Sequence, residues 1–169
     1  MEEELVALLP RLRRFARTLC HDADVADDLV QAACERALKA AGSFAPGTRF
    51  DSWMYRIVQN LWIDRRRSNA TRGPHVDLDS ALELPGSDGR RDVEAKLMLA
   101  TVRGAIAELP EEQRLVLALV SIEGLSYRDA AEQLGVPLGT VMSRLSRARG
   151  KLMALVAGTA VKPAAAAQG

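Results

Sequence analysis

Gly135 stands between two stretches that each read as helix, and its placement limits the fold more than any other feature of this chain. Residues 125 to 152 run LSYRDAAEQLGVPLGTVMSRLSRARGKL. Ser126 followed by Asp129 is a variant of the capping box and starts a short helix, YRDAAEQL. Ala130 and Ala131 in that helix have little bulk, so another helix can approach closely. Gly135 tolerates the left-handed conformation that ends a helix, and Val136 with Pro137 turns the chain into the next one. The pattern predicts a helix-turn-helix. In its second helix Val141, Leu145, Ala148 and Leu152 share one face, while Gly139, Ser143, Ser146, Arg147 and Gly150 point the other way, with Arg144, Arg149 and Lys151 at the flanks. That outward face suits a major groove: short side chains admit close approach, guanidinium forks pair with guanine edges, and flanking cations take phosphates. A plain solvated hairpin would explain each feature singly, but not their coincidence.

The rest of the chain is read around this unit. Its 169 residues are 48% hydrophobic but only 4% aromatic, which favours one ordinary domain or two small helical ones. Net charge is +1, so a case for nucleic acid rests on how charge is distributed. Acidic blocks at 22–35 and 77–88 alternate with basic blocks at 65–72 and 144–151. Leu8, Leu12, Phe15 and Leu19 recur at helical spacing, and Pro10 fits a helix start, giving a first helix over 9–20. HDADVADD supplies capping and first-turn acids for a second helix over 24–41. After the break at Gly42, Pro46 and Gly47, FDSWMYRIVQNLWIDRRR resumes the period. At about 100° per residue, Trp53, Met54, Ile57, Val58 and Leu61 fall inward, with Tyr55, Arg56, Gln59, Trp62 and Arg66 opposite. Residues 68–90 lack periodicity and read as a linker. Beyond them DVEAKLMLATVRGAIAEL is apolar at 93, 97, 102, 106 and 109, and PEEQRLVLALVSIEG follows, with Gly124 suited to a C-terminal cap. The tail after Gly158 is low in complexity and reads as disordered. No leader or membrane-crossing run is expected, and a cytoplasmic protein is. Cys20 and Cys34 read as small buried apolar residues, with no metal or cofactor expected.

Three stretches together resemble a known family over nearly the whole chain: DADVADDLVQAACERAL, FDSWMYRIVQNLWIDRRR, and LPEEQRLVLALVSIEGLSYRDAAEQLGVPLGTVMSRLSRARGKL. They are similar to regions 2.2, 2.3 to 2.4, and 4 of the extracytoplasmic-function sigma factors, small two-domain members of the sigma-70 family that direct bacterial RNA polymerase to promoters. The resemblance implies an all-α fold: region 2 over 1–72, a flexible linker over 73–90, region 4 over 91–157, and a disordered tail over 158–169. It also implies that the second helix docks on the clamp helices of the polymerase beta-prime subunit through Asp27, Asp28, Gln31 and Glu35. Read alone, those acids are more often just a solvated helix face. Region 4 of the family meets the beta flap, and the free protein is implied to be a monomer.

By the same resemblance, residues 42 to 67 open the minus-ten element and hold an extruded base. Phe44, Arg56, Asn60, Trp62, Arg65, Arg66 and Arg67 supply the charge and aromatic walls that single-strand capture needs. Phe44, Arg56 and Asn60 follow from position in the family; Trp62 follows only from its outer face, which equally suits packing on a neighbouring domain or an inhibitor. The minus-thirty-five element falls to Ser143, Ser146 and Arg147 towards bases and Arg144, Arg149 and Lys151 towards backbone, with Thr140 and Met142 in the same surface. Met142 departs from the Lys or Arg of many relatives. The acidic linker either threads towards the RNA exit path or is a plain spacer. An anti-sigma partner is implied, with the DNA-reading surfaces covered when silent.

An enzyme is not expected: His21 and His75 lie in unlike contexts, and no nucleophile elbow or phosphate loop is present. A stand-alone helix-turn-helix regulator would leave the first domain unexplained. A sigma-like decoy that titrates an anti-sigma factor would account for both domains, but such relatives lose their DNA-binding residues and carry a receiver, and this chain keeps its arginines.

Overall fold

The computed structural model describes residues 2–45, 47, 49–72 and 90–160, and the regular structure among them is helical throughout. Helix α1 runs Glu2–Cys20, α2 Ala23–Lys39 and α3 Phe50–Arg72, with a short 3₁₀ turn at Ala41–Ser43. The second group is α4 Arg90–Ala107, α5 Glu111–Leu117, a π-helical turn Ala118–Ile122, α6 Tyr127–Leu134 and α7 Leu138–Ala160. Residues 68–72, read as the start of the linker, continue α3, and Arg90 begins α4; residues 73–89 lie outside the described residues, as does the tail beyond Ala160.

Leu5, Leu8, Leu12, Phe15, Ala16 and Leu19 form the buried stripe of α1, at the spacing that stacks side chains on one face. This helix begins well before the expected start at residue 9. Pro10 sits inside it and deprives the Val6 carbonyl of its usual donor; both residues are exposed, so water can serve that carbonyl. His21 takes φ +61° and ends α1, and the Asp22 side chain then accepts the Val25 N–H at 2.9 Å to start α2. Phe15 meets Tyr55 of α3 at 5.0 Å between ring centres, which closes the three-helix unit.

The helix-turn-helix forms as the local chemistry dictates. Ser126 Oγ accepts the Asp129 N–H at 3.1 Å, and Gly135 adopts φ 64°, ψ 34° at the end of α6. Replacing Ser126 with Ala should cost about 1 kcal/mol, measured as a shift in the denaturation midpoint, because the first-turn N–H loses its acceptor. Val141, Leu145 and Ala148 of α7 are buried against α4, α5 and α6, and Leu152 is half-buried. Two expectations differ. Val93 and Leu97 of α4 are exposed rather than core, and α4 enters the interior only at Ala105 and Ile106, just ahead of Leu109. Residues 158–160, expected in a disordered tail, continue α7.

The two groups share one apolar core, in which Leu109, Leu115 and Val116 join the residues of α1 and α3. This joining accounts for the largest departure from expectation. The side of α3 assigned to solvent holds Tyr55 at 0%, Gln59 at 7% and Trp62 at 8% exposure. Gln59 borders a cleft with Leu115 and Leu134, and Arg66 pairs with Glu111 at 3.6 Å, so this side of α3 faces the second group. Trp53, Ile57 and Leu61, expected inward, are half-buried. Cys20 and Cys34 are free and half-buried, and burial pushes the Cys20 thiol up to about 11.

Candidate nucleic-acid interface

The outward face of α7 is open. Gly139, Met142, Ser143, Ser146, Arg147, Arg149, Gly150 and Lys151 are exposed, with Thr140 and Arg144 half-buried at the margin. The inward stripe recurs every three or four residues, so everything between it is delivered to solvent. Ser143 Oγ donates to the Thr140 carbonyl at 3.1 Å, a bond that keeps it compact against the helix. The flanking cations rest on protein acceptors: Arg144 pairs with Glu112 at 2.8 Å, Lys151 Nζ donates to the Glu108 carbonyl at 2.9 Å, and Arg149 reaches Ser121 Oγ at 3.4 Å. Contacts of this kind at a protein surface contribute little to stability. The presented surface is Gly139, Ser143, Ser146 and Gly150 with Met142 and Arg147 among them and three cations around them.

The residues assigned to single-strand capture divide. Phe44 packs edge-on to Phe50 at 5.7 Å and against Trp53 at 5.1 Å, an aromatic cluster at the entry to α3. Trp53 belongs to it, although periodicity alone placed it in the core. Arg56 is exposed and borders a cleft of about 370 Å³ together with Trp53, Arg49 and Ser52. Asn60 is exposed one turn further along, while Arg65 is half-buried and Arg67 exposed. Across that cleft stand Asp129, Glu132 and Gln133 of α6, and Asp129 approaches Arg49 at 3.6 Å. Asp51, whose burial alone would raise its pKa, is held below the usual carboxylate range by Arg49 and the Ser52 N–H.

Trp62 is not with this group. It is buried, the Arg66 guanidinium sits 5.9 Å from its ring centre, and its indole N–H is buried without an acceptor. Trp62 therefore does not line an open surface in this closed arrangement, where it is 8% exposed. Arg66 is likewise engaged, with Glu111.

On α2, Asp27, Asp28, Gln31 and Glu35 share one exposed face, with Asp27 3.4 Å from Arg13 and Gln31 donating to Glu35 at 3.4 Å. Sequence reading missed one cluster: Glu123, just beyond the π-helical turn, is buried against Arg11, Arg14 and Tyr55. Its partners lie 68 to 112 positions away in the chain, beyond any local pattern. Arg114 is a second such crossing, 2.7 Å from Nε2 of His21 and donating to the Ala107 carbonyl at 3.2 Å. Among the described residues no group of three His, Cys, Asp or Glu is placed to hold a metal, and no helix is long and apolar enough to cross a membrane.

Family models match two parts of the chain: sigma-70 region 2 over residues 5–72 and sigma-70 region 4 over residues 99–152. The ECF RNA polymerase sigma factor EcfG of Rhodopseudomonas palustris (strain TIE-1) is 38% identical over 156 residues, covering 92% of this chain and 84% of its own. The ECF RNA polymerase sigma factor SigM of Mycobacterium tuberculosis is 38% identical over 146 residues, 86% and 71% of the two chains. Among solved structures, the sigma factor RpoE in complex with the anti-sigma factor NepR from Bartonella quintana superposes with a TM-score of 0.79 at 32% identity, covering 92% and 96% of the chains. CnrH in complex with the cytosolic domain of CnrY gives 0.68 at 28% identity, covering 93% and 87%.

Proposed function

This chain belongs to the extracytoplasmic-function sigma factors of the sigma-70 family, and from that membership we propose that it reads promoters at two places and is held silent by an anti-sigma factor. Sigma factors are initiation factors that direct RNA polymerase, not enzymes. Region 4, over residues 91–157, takes the minus-thirty-five element as duplex. Ser143, Ser146 and Arg147 face base edges, and Arg144, Arg149 and Lys151 meet phosphates. Thr140 and Met142 border the same face. Region 2, over residues 1–72, takes the minus-ten strand with Phe44, Arg56 and Asn60, aided by Arg65 and Arg67. Trp62 and Arg66 join that surface only when the regions part. Asp27, Asp28, Gln31 and Glu35 meet the polymerase core through the clamp helices, and region 4 meets the flap.

The observation that carries this reading is the open face of α7, where Arg147 and two serines are exposed over a stripe that is 0 to 2% exposed at Val141, Leu145 and Ala148. The anti-sigma partner is supported by RpoE, solved with its own anti-sigma factor and alike over nearly the whole fold. Run-off transcription with purified core polymerase tests the proposal. Arg147→Ala should reduce promoter-specific product by about 5-fold to about 150-fold, the worth of one bidentate base contact. Full activity of that variant on every promoter removes Arg147 from readout, and failure of the wild-type chain to support any product overturns the reading as a whole.

A further inference from the structure

Glu123 has a setting unlike any other carboxylate among the described residues. Its side chain is 0% exposed, yet it belongs to the turn after the π-helical segment of region 4, while all its listeners are in region 2. Arg14 gives it Nε at 3.0 Å and an outer nitrogen at 3.2 Å, Arg11 gives Nε at 3.2 Å, and the Tyr55 hydroxyl donates at 2.6 Å. A further nitrogen of Arg11 donates to the Glu123 main-chain carbonyl at 3.1 Å. One guanidinium fork, the Nε of a second guanidinium and a phenol thus converge on one pair of anionic oxygens.

The donor set is built by region 2 alone. Arg11 and Arg14 are three residues apart and share a face of α1. The Arg11 guanidinium lies 5.7 Å from the Tyr55 ring centre and 3.6 Å from Asp51, and Phe15 packs tilted against Tyr55. Burial first, and then the bond to Glu123, raises the Tyr55 pKa, so the phenol stays a donor. The arginine side chains keep 37% and 52% of their exposure, so the site opens at the protein edge rather than in its interior. Two cations with one orienting carboxylate leave room for a single further anion.

The surrounding seam is loosely satisfied. Gln59 Oε1 on α3 and both amide atoms of Gln133 on α6 are buried there without partners. Permanent interiors satisfy nearly all such atoms, and an interface that leaves several unpaired is easier to open. When it opens, the donors of Arg11, Arg14 and Tyr55 lose the carboxylate that neutralises them.

We infer that Arg11, Arg14 and Tyr55 form an anion site that Glu123 fills while the two regions are closed, and that a phosphodiester of promoter DNA fills once they part. The inference rests on the reading of this chain as a promoter-binding factor. The carboxylate then acts as an internal stand-in for phosphate, and closure competes directly with DNA.

The full-length chain and Glu123→Gln are compared by small-angle X-ray scattering and by binding of a labelled single-stranded oligodeoxynucleotide carrying the minus-ten strand. The same sequence with a neutral methylphosphonate backbone serves as control. Glu123→Gln should expand the particle and raise affinity for the phosphodiester strand at least about tenfold, with no gain for the neutral strand. Adding Arg14→Gln, or Arg11→Gln should that double variant not fold by circular dichroism, should return the affinity to the wild-type level. A Glu123→Gln chain that stays compact with unchanged affinity overturns the inference. So does a gain that survives loss of either arginine, or one shared by the neutral strand. Run-off transcription by the wild type is unaffected by these outcomes and separately judges the functional reading.

Discussion

Leu145→Ala should lower the unfolding free energy by about 2–5 kcal/mol and weaken the chain's grip on duplex DNA through the seating of α7. Leu145 is 2% exposed on the face of α7 that packs on α4, α5 and α6. Truncation removes the transfer energy of its buried carbons and leaves a cavity that α6, fixed by Ser126 and Gly135, cannot collapse to fill. Set against a typical domain stability of about 5–15 kcal/mol, that loss is large. The readout is twofold: the urea midpoint, and the affinity for a duplex carrying the minus-thirty-five element. Because Leu145 itself touches no DNA, binding should fall only as far as the folded fraction and the seating of α7 fall. A conservative Leu145→Met should therefore recover both measurements together, within about 1.5 kcal/mol of wild type. A variant that unfolds as wild type does would show that α7 is held by other contacts.

Phe15→Ala should be as costly or more so, at about 3–5 kcal/mol, through the other half of the chain. Phe15 is wholly buried and meets the Tyr55 ring at 5.0 Å. Loss of its ring removes the backing that aims the Tyr55 hydroxyl at Glu123, so the join between the regions weakens along with the region 2 core. The shared apolar cluster makes a second expectation definite: thermal unfolding followed at residues of region 2 and of region 4 should shift together, because Leu115 and Val116 sit in the same interior as Phe15. Two separated transitions in the variant would show that the cores are energetically independent.

What was legible in the sequence was what local chemistry decides. The Ser126 cap, the left-handed Gly135 and the stripe of Val141, Leu145 and Ala148 involve neighbours within a few residues, and each stands as the pattern requires. Helix α3 was misread because an amphipathic reading assumes a solvent side. Its solvent side is only a strip through Arg56, Asn60 and Arg67, because one side meets α1 and α2 and another meets region 4. Tyr55 and Trp62 among the supposed outer residues were the available signal, since a helix with aromatics on both sides tends to be enclosed. Glu123 gave no signal at all. It reads as an ordinary turn residue ahead of Gly124, and only the meeting of α1, α3 and the segment after α5 turns it into a buried anion. In α1, Pro10 suggested a start because proline favours the first turn, but Val6 and Pro10 lie on the solvent side, where the lost hydrogen bond is tolerated.

The π-helical turn at Ala118–Ile122 closes with the Glu123 N–H on the Ala118 carbonyl at 2.9 Å, one residue wider than an α-turn. Deleting any one residue there would let the segment relax into regular α-helix, and each later side chain would swing by about 100° around the axis. Glu123 would leave its arginines and α6 would leave α3, although Glu123, Arg11, Arg14 and Tyr55 had not themselves been changed. Length is therefore under tighter constraint in this segment than residue identity, and descendants of this chain should vary here by substitution and not by gaps.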